Sequence, residues 1–380
     1  MNKIILDTQI FSTQKFGGIS RYFIELYSRI SHSNTAEIIF PILYSDNLYY
    51  KESVFFDSSF QRKNWLLISL SWIFRPFLPR KLERKSRLDT IRLLKGQQFD
   101  LFIPTYYDPY FLEYIGNKPF VLTVHDMIHE LYPMYFLNDA ETVNNKKVLI
   151  EKATKIIAIS QNTKRDLISI YPNIDPGKIE VVYLGHTKNP EHTIKVDVPD
   201  NYILFVGQRG LYKNFYFFLN AALQVLNEKP EIVILCAGGD PFTIDELNHI
   251  YSIGLKGRVL HRNFIDAELT SFYKNALCFV FPSEYEGFGI PVLEAMAAGC
   301  PTLLTNHSSF PEVAGDAAIF FELNNNIDLS RQLISLLDNA ELRRKHIDQG
   351  ILQAAKFTWE KTLQQTLKVY QDAIKSTTHE

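Results

Sequence analysis

An α/β fold of two parallel sheets wrapped by helices is predicted by three features of the sequence. Short β-rich apolar runs alternate with helical patterns nearly throughout, which is how strands joined by helical crossovers read. The 380 residues exceed what one compact core holds and suit two domains of roughly 150 to 200 residues each. Between the two sets of runs lies GHTKNPEHTIKVDVPDN, residues 185–201, polar and carrying Pro190 and Pro199, a linker composition. The chain thus divides into residues 1–188, residues 189–357 and a terminal helical stretch, 358–380, and two domains imply a cleft between them.

The first six strands are expected at IILD, EIIFPILYS, LFIPTYY, FVLTVHD, KIIAIS and IEVVYL. The second six are expected at YILFVGQ, IVILCAGG, VLHRNF, LCFVFPS, PTLLTN and AIFF. Each set suits one Rossmann-like sheet. The two halves share no repeat at the level of residues.

The totals exclude several classes. With 46% apolar and 22% charged residues the chain reads as an ordinary globular protein without low-complexity tracts. A net charge of −2 argues against nucleic acid as a partner. Cys236, Cys278 and Cys300 sit in or beside apolar runs with no CxxC pair, so they read as buried thiols in a reducing compartment. The opening MNKIILDTQIF reads as a first strand and not a signal peptide, and no apolar run reaches the ~18 residues of a membrane span. A cytoplasmic protein is expected.

In open α/β sheets ligands sit beyond the carboxyl ends of strands, and five stretches stand out there or nearby. FGGISRY, residues 16–22, places Gly17 and Gly18 before a helical pattern, where backbone N–H groups and the helix end can approach an anion; a plain turn is the alternative, and no GxGxxG is present. In TVHDMIHELYP, His125 follows a strand and could hydrogen-bond a substrate hydroxyl, or be a structural histidine. His129 lies four residues on, but the sequence does not match HExxH and no metal site is expected.

The third stretch, FVGQRGLYKN, brings Arg209 and Lys213 near Gly207 beside an expected helix start. Two cations there oppose the helix dipole, which favours a diphosphate-binding role over a merely solvated one. The fourth, SEYEGFGIPVLEAMAAGCPTLLTN, sets Glu286 and Glu294 eight positions apart around Gly287-Phe288-Gly289. Pro291 and the Gly299–Pro301 stop frame a short helix. Glu294 is expected in its first turn, where the dipole alone favours an acid. Glu286 has no such structural reason. The fifth, residues 62–87, holds eight basic residues against one acid and two of the three tryptophans. It suits peripheral contact with an anionic membrane as well as an ordinary surface helix.

Taken together these stretches resemble the family-4, "group 1" retaining glycosyltransferases of GT-B fold, two Rossmann-like domains facing across a cleft. The resemblance covers essentially the whole chain and is densest over residues 272–321, FYKNALCFVFPSEYEGFGIPVLEAMAAGCPTLLTNHSSFPEVAGDAAIFF. It implies an acceptor-binding first domain, a donor-binding second domain and a terminal helix that crosses back to the first. It implies that Glu294 binds the ribose hydroxyls of a nucleotide sugar and Glu286 a hydroxyl of the donor sugar. Arg209 and Lys213, with Gly207, would hold the diphosphate; Gly17 and Gly18 would lie near it; His125 would approach the transferred sugar; and Gly287, Phe288 and Gly289 would offer backbone to the ligand. His125, Glu286, Arg209 and Lys213 are the catalytic candidates. No Asp-x-Asp occurs in the chain, so no metal and no cofactor beyond the nucleotide-sugar substrate is expected.

The resemblance points to transfer of a sugar, first mannose from GDP-mannose, to a glycan or polyprenyl-diphosphate-linked acceptor in O-antigen or capsule synthesis. Such an enzyme would be cytoplasmic, at the inner face of the membrane. A nucleotide-sugar epimerase of the same fold and a non-catalytic nucleotide-sugar-binding subunit are the competing readings. The first lacks the paired glutamates, and the second would not need the charged groups retained here.

Overall fold

The computed structural model describes residues 1–57, 59–64, 78–187 and 194–377. The chain divides into two compact units, Met1–Leu184 with Trp359–Glu380, and Gly185–Thr358. The expected linker falls partly outside the described residues; within it, the two ring nitrogens of His186 lie 3.0 and 3.1 Å from the carbonyls of Thr187 and Ala354, one of which accepts its N–H.

All twelve expected strands are present. The first unit contains β1 (Asn2–Leu6), β2 (Ala36–Ile39), β3 (Leu101–Ile103), β4 (Val121–Val124), β5 (Lys155–Ala158) and β6 (Ile179–Val181). They form two parallel three-stranded sheets, β2-β1-β3 and β4-β5-β6, joined by a parallel bridge between Phe102 and Phe120. The run EIIFPILYS is strand only as far as Ile39. Pro41 has no N–H to continue a ladder, and the chain leaves the sheet with Ile42 donating to the Phe40 carbonyl. The core of this unit packs Ile5, Phe102, Leu122 and Ile156 against Phe111, Leu149 and Leu167.

The helix Trp359–Thr377 belongs to this unit. Its buried residues Trp359, Thr362, Thr366, Val369 and Ala373 recur every three or four positions, the single stripe by which an amphipathic helix docks. Tyr370 on the same face bonds Tyr27 hydroxyl to hydroxyl at 2.7 Å, and Thr362 donates to the Tyr183 carbonyl at 2.8 Å.

The second unit holds β7 (Tyr202–Val206), β8 (Val233–Ala237), β9 (Val259–Arg262), β10 (Cys278–Phe281), β11 (Thr302–Thr305) and β12 (Ile319–Phe321). They form one parallel sheet in the order β12-β11-β10-β7-β8-β9. Renumbered within the unit this is the doubly wound order 3-2-1-4-5-6, in which the chain changes direction between its first and fourth strands. Strands buried on both faces must be apolar throughout, as YILFV and CFVF are. A separate core of Ile203, Phe205, Phe218, Ile234, Val280, Leu303 and Leu333 closes this unit.

The basic stretch 62–87 lies in part, residues 65–77, outside the described residues. Residues 62 and 63 end a short helix, Phe60–Lys63, and residues 78–87 open the helix Leu78–Gly96, which buries Pro79, Leu82, Ser86, Thr90 and Leu94. Arg80, Lys81, Arg84 and Lys85 are exposed. No helix among the described residues is long and apolar enough to cross a membrane.

Candidate active site

The crossover reversal in the second unit falls between β7 and β10, and the chain beyond each of these strands carries a charged residue singled out above. Lys213 follows β7 and Glu286 follows β10. Their side chains meet, Nζ to Oε1 at 2.5 Å, across 73 residues of sequence. The pair is half-buried, with the ammonium over the rings of Tyr212 and Phe281 at 4.8 and 5.1 Å. Burial opposes the Lys213 ammonium, but the Glu286 carboxylate and the Tyr212 hydroxyl outweigh it and hold the lysine above its ordinary pKa. The loops are stitched by Glu284 N–H donating to the Tyr212 carbonyl at 2.8 Å.

The loop after β7 is strained. Gly207 has φ +98°, while Leu211 and Asn214 both have φ +55°. Leu211 is an outlier of the kind that persists only where the surroundings impose it, and it is 57% exposed. The expected helix start near Lys213 is a 3-10 turn, Leu211–Lys213, followed by the helix Phe215–Glu228.

Arg209 and Lys213 have different partners. Arg209 is 4% exposed and its guanidinium is engaged by Glu246 (Nε to Oε1 3.0 Å, Nη2 to Oε2 3.4 Å), by the Gly238 carbonyl and by the Asp240 carbonyl. It lies 4.7 Å from the Phe242 ring centroid. Glu246 also closes a capping box on Thr243 at the start of the helix Ile244–Ser252. Arg209 therefore ties the loop after β7 to the glycine turn after β8. That turn leaves no room for a side chain: a Cβ on Gly239 would meet the Gly207 carbonyl oxygen at 2.7 Å.

Around Glu286 the structure adds two residues that sequence reasoning missed. Ser308 Oγ accepts from the Glu286 N–H at 3.0 Å and donates to the Glu286 carbonyl at 2.6 Å. Ser309 Oγ reaches the carbonyls of Glu286 and Phe288 at 2.9 and 3.0 Å. Both follow β11, and Ser308 has φ +59°. The stretch NHSSFPEV after a strand was the available signal. Gly289, φ +95°, caps the next helix, and a Cβ there would press on the Phe310 ring at 3.2 Å.

That helix is Ile290–Ala297, with Pro291 in its first turn and Gly299, φ +73°, just past its end. The expectation that Glu294 lies in the first turn is corrected. The helix begins at Ile290, so Glu294 is its fifth residue and no acid occupies the first turn. The dipole effect fades within that turn, so it does not account for a carboxylate at 294, which is half-buried beside Val292, Leu293, Ala295 and Met296, all buried.

In the first unit Gly17 is the N-cap and Gly18 the first residue of the helix Gly18–Ser33. A Cβ on Gly17 would fall 2.6 Å from the Gln14 side-chain oxygen, while Gly18 faces open space. His125 follows β4, nearly buried, with the rings of Tyr22 and Phe23 from that glycine-led helix edge-on at 5.4 and 5.9 Å. Its Nε2 has no hydrogen-bond partner among the described residues. Burial pushes the imidazole down to about 4, with Lys146 adding to the fall and Asp126 opposing it. His125 is neutral at physiological pH. His129 points to Asp139 (Nε2 to Oδ2 3.4 Å) and packs on Phe136, and no cluster of three metal-ligating side chains occurs among the described residues.

Two family models between them match almost all of the chain: "Glycosyltransferase Family 4" over residues 16–187 and "Glycosyl transferases group 1" over residues 188–372. The chain belongs to the family-4 glycosyltransferases. Among curated relatives of this glycosyltransferase, O-antigen chain mannosyltransferase B of Escherichia coli is 27% identical over 282 residues, 70% of this chain and 72% of that protein. The O-antigen chain mannosyltransferase RfbU of Salmonella typhimurium is 29% identical over 201 residues, 52% of this chain and 55% of that one. Among solved structures, Anabaena HepE in complex with UDP and glucose superposes with a TM-score of 0.71 at 15% identity, covering 97% of this chain and 98% of that one. The fold is GT-B; the second unit is the single Rossmann-like sheet that was expected of each half, whereas the first has its six strands in two three-stranded sheets linked by one bridge.

Proposed function

We propose that this glycosyltransferase moves a hexose, mannose from GDP-mannose in the first instance, onto a glycan or polyprenyl-diphosphate-linked acceptor in surface polysaccharide synthesis. The observation that carries the reading is the Lys213–Glu286 pair at the crossover reversal of a 3-2-1-4-5-6 sheet, the place where such sheets take nucleotides. The O-antigen mannosyltransferases among its relatives support mannose and a polysaccharide product. HepE with its UDP supports a nucleoside-diphosphate donor.

In this reading Glu294 accepts hydroxyls of the ribose and Glu286 a hydroxyl of the sugar, since a carboxylate can accept two O–H groups at once. The backbone of Gly287, Phe288 and Gly289 faces the diphosphate between them. Lys213, released from Glu286 toward the ligand, stabilises the charge that grows on the diphosphate as the anomeric carbon–oxygen bond breaks. One such contact is worth roughly 100 to 1,000-fold in rate. Arg209 supports that loop from behind through Glu246, and in the first unit Gly17 and Gly18, at the start of the helix Gly18–Ser33, are the anion-binding candidates. Neutral His125 offers a hydrogen bond to the transferred sugar. The acceptor hydroxyl attacks on the face the diphosphate leaves, and its proton passes to the departing diphosphate, so that configuration is retained with no metal taking part. Peripheral contact with anionic lipid through the basic face of Leu78–Gly96 belongs to the same reading.

A thermal-shift panel of GDP, UDP, dTDP and ADP with their common sugars, without added metal, tests it. A ligand that binds only the native state raises Tm by mass action. A shift with GDP and GDP-mannose is expected. A shift confined to another nucleotide would replace the donor, and none from any would sink the donor-site assignment.

A further inference from the structure

Lys146 is an ammonium with no exposed surface. It comes from the helix Ala140–Lys152 and pairs with Glu130 at 2.9 Å, the two side chains being 0% and 4% exposed. Exchanging a buried ion pair for apolar groups of similar size is often neutral or stabilising, because two charges lose their hydration. Stability therefore gives little reason for charge here, and a methionine would fill the same space.

What methionine could not do is donate. Lys146 Nζ also donates to the main-chain carbonyl of Asp126 at 3.0 Å, the residue directly after His125. The ammonium lies 5.0 Å from the Tyr107 ring centroid, and the Tyr107 hydroxyl accepts the His125 N–H at 3.4 Å. Glu130 is steadied in turn by the Tyr171 hydroxyl at 3.5 Å. The main chain at 125–126 is thus held from both sides, by Tyr107 before the side chain and by Lys146 after it, while Tyr22 and Phe23 confine the ring.

We propose that the buried Lys146–Glu130 pair is a positioning device for His125, fixing the main chain beyond the histidine and with it the direction of the unpartnered Nε2. The proposal rests on the reading of His125 as the group that approaches the transferred sugar. Lys146 touches no substrate in it and acts only through the imidazole. A displacement of about 1 Å at such a group costs on the order of 100-fold in rate.

The test uses the full chain labelled with [13C]histidine, the His125 ring signals being assigned by their loss in His125→Gln. In Lys146→Met/Glu130→Leu the melting temperature is expected to hold or rise, while the His125 signals move, because edge-on Tyr22 and Phe23 make their shifts sensitive to ring position. Release of GDP from GDP-mannose is expected to lose about 100-fold in kcat with KM unchanged. The same double substitution placed on His125→Gln is expected to cost nothing more, as coupled residues are not additive. If the apolar pair does not fold, Lys146→Gln/Glu130→Gln is the second variant. Its glutamines can bond each other but stop short of the Asp126 carbonyl, and it is expected to move the His125 signals in the same way. His125 signals superimposable on those of the unaltered protein in a folded variant would overturn the proposal. Full turnover by His125→Gln would instead overturn the role given to His125, and leave the positioning result standing.

Discussion

Lys213 and Glu286 neutralise each other, so neither is left an isolated half-buried charge. Lys213→Met is expected to cut turnover by roughly 100 to 1,000-fold, whereas Arg209→Met is expected chiefly to lower stability, because it strands Glu246, 7% exposed, without its partner. Thermal melts beside initial rates separate the two, and equal losses of both kinds in both variants would refute the division of roles. Asp7, wholly buried after β1, offers a pH prediction. Burial raises its carboxyl from 3.8 to about 6 against hydrogen bonds from Tyr110 and Thr8. Between those values the folded state binds more protons than the unfolded one, so this group favours folding as pH falls and costs up to about 3 kcal/mol above pH 6. His125, lowered from 6.5 to about 4, has the opposite sign, its unfolded state binding more protons, and its contribution is lost as pH falls through that window. Asp7→Asn keeps the acceptor for Tyr110 and Thr8 and removes only the first effect. It is expected to melt higher than the unaltered protein at pH 8 and to lose stability more steeply toward pH 4.5. A parallel pair of Tm–pH curves would contradict this.

At the level of elements, what the sequence could show followed from periodicity. Twelve apolar runs became twelve strands, most plainly β4, β7, β10 and β11, because parallel strands buried on both faces cannot be disguised, and the Pro291 and Gly299 punctuation framed its helix correctly. What it could not show depended on side chains finding partners far along the chain. Arg209, four residues before Lys213, suggested one shared anion, and nothing in the sequence signalled the pair its guanidinium makes with Glu246, 37 residues on. Ser308 and Ser309 gave only a polar dipeptide, and their grip on Glu286 spans 22 and 23 residues. The first turn assigned to Glu294 failed because the start of a helix is set by a cap, here Gly289, that apolar spacing does not locate. The helix Leu78–Gly96 is legible both ways, its buried stripe and its basic face occupying opposite sides. Replacing Arg80, Lys81, Arg84 and Lys85 by glutamine is expected to abolish sedimentation with phosphatidylserine vesicles at low salt, each cation near an anionic surface being worth about 1 kcal/mol. Unchanged sedimentation would leave the helix a plain surface element.

At the level of the whole molecule the chain passes between its two units twice, near residue 185 and again near residue 359. The consequence is asymmetric. The first unit is assembled from two separated segments, and without Trp359–Thr377 it would expose Tyr22, Tyr27 and their neighbours to water. The second unit is continuous, residues 185–358, and contains its own sheet, its own core and Lys213, Glu286, Glu294, Ser308 and Ser309. A fragment of residues 185–358 is therefore expected to fold alone, whereas residues 1–184 are expected to aggregate. The isolated second unit should gain Tm from the same nucleoside diphosphate as the full chain, since saturation at 100 times Kd contributes about 2.7 kcal/mol to any native state that binds. On the proposed reading it should not release that nucleotide from its sugar, since the catalytic candidate His125 lies in the other unit. Thermal shift and product release measured on the fragment and the full chain decide it. A folded fragment blind to the nucleotide would mean that groups of the first unit form part of the donor site itself, and turnover by the fragment would remove His125 from the chemistry.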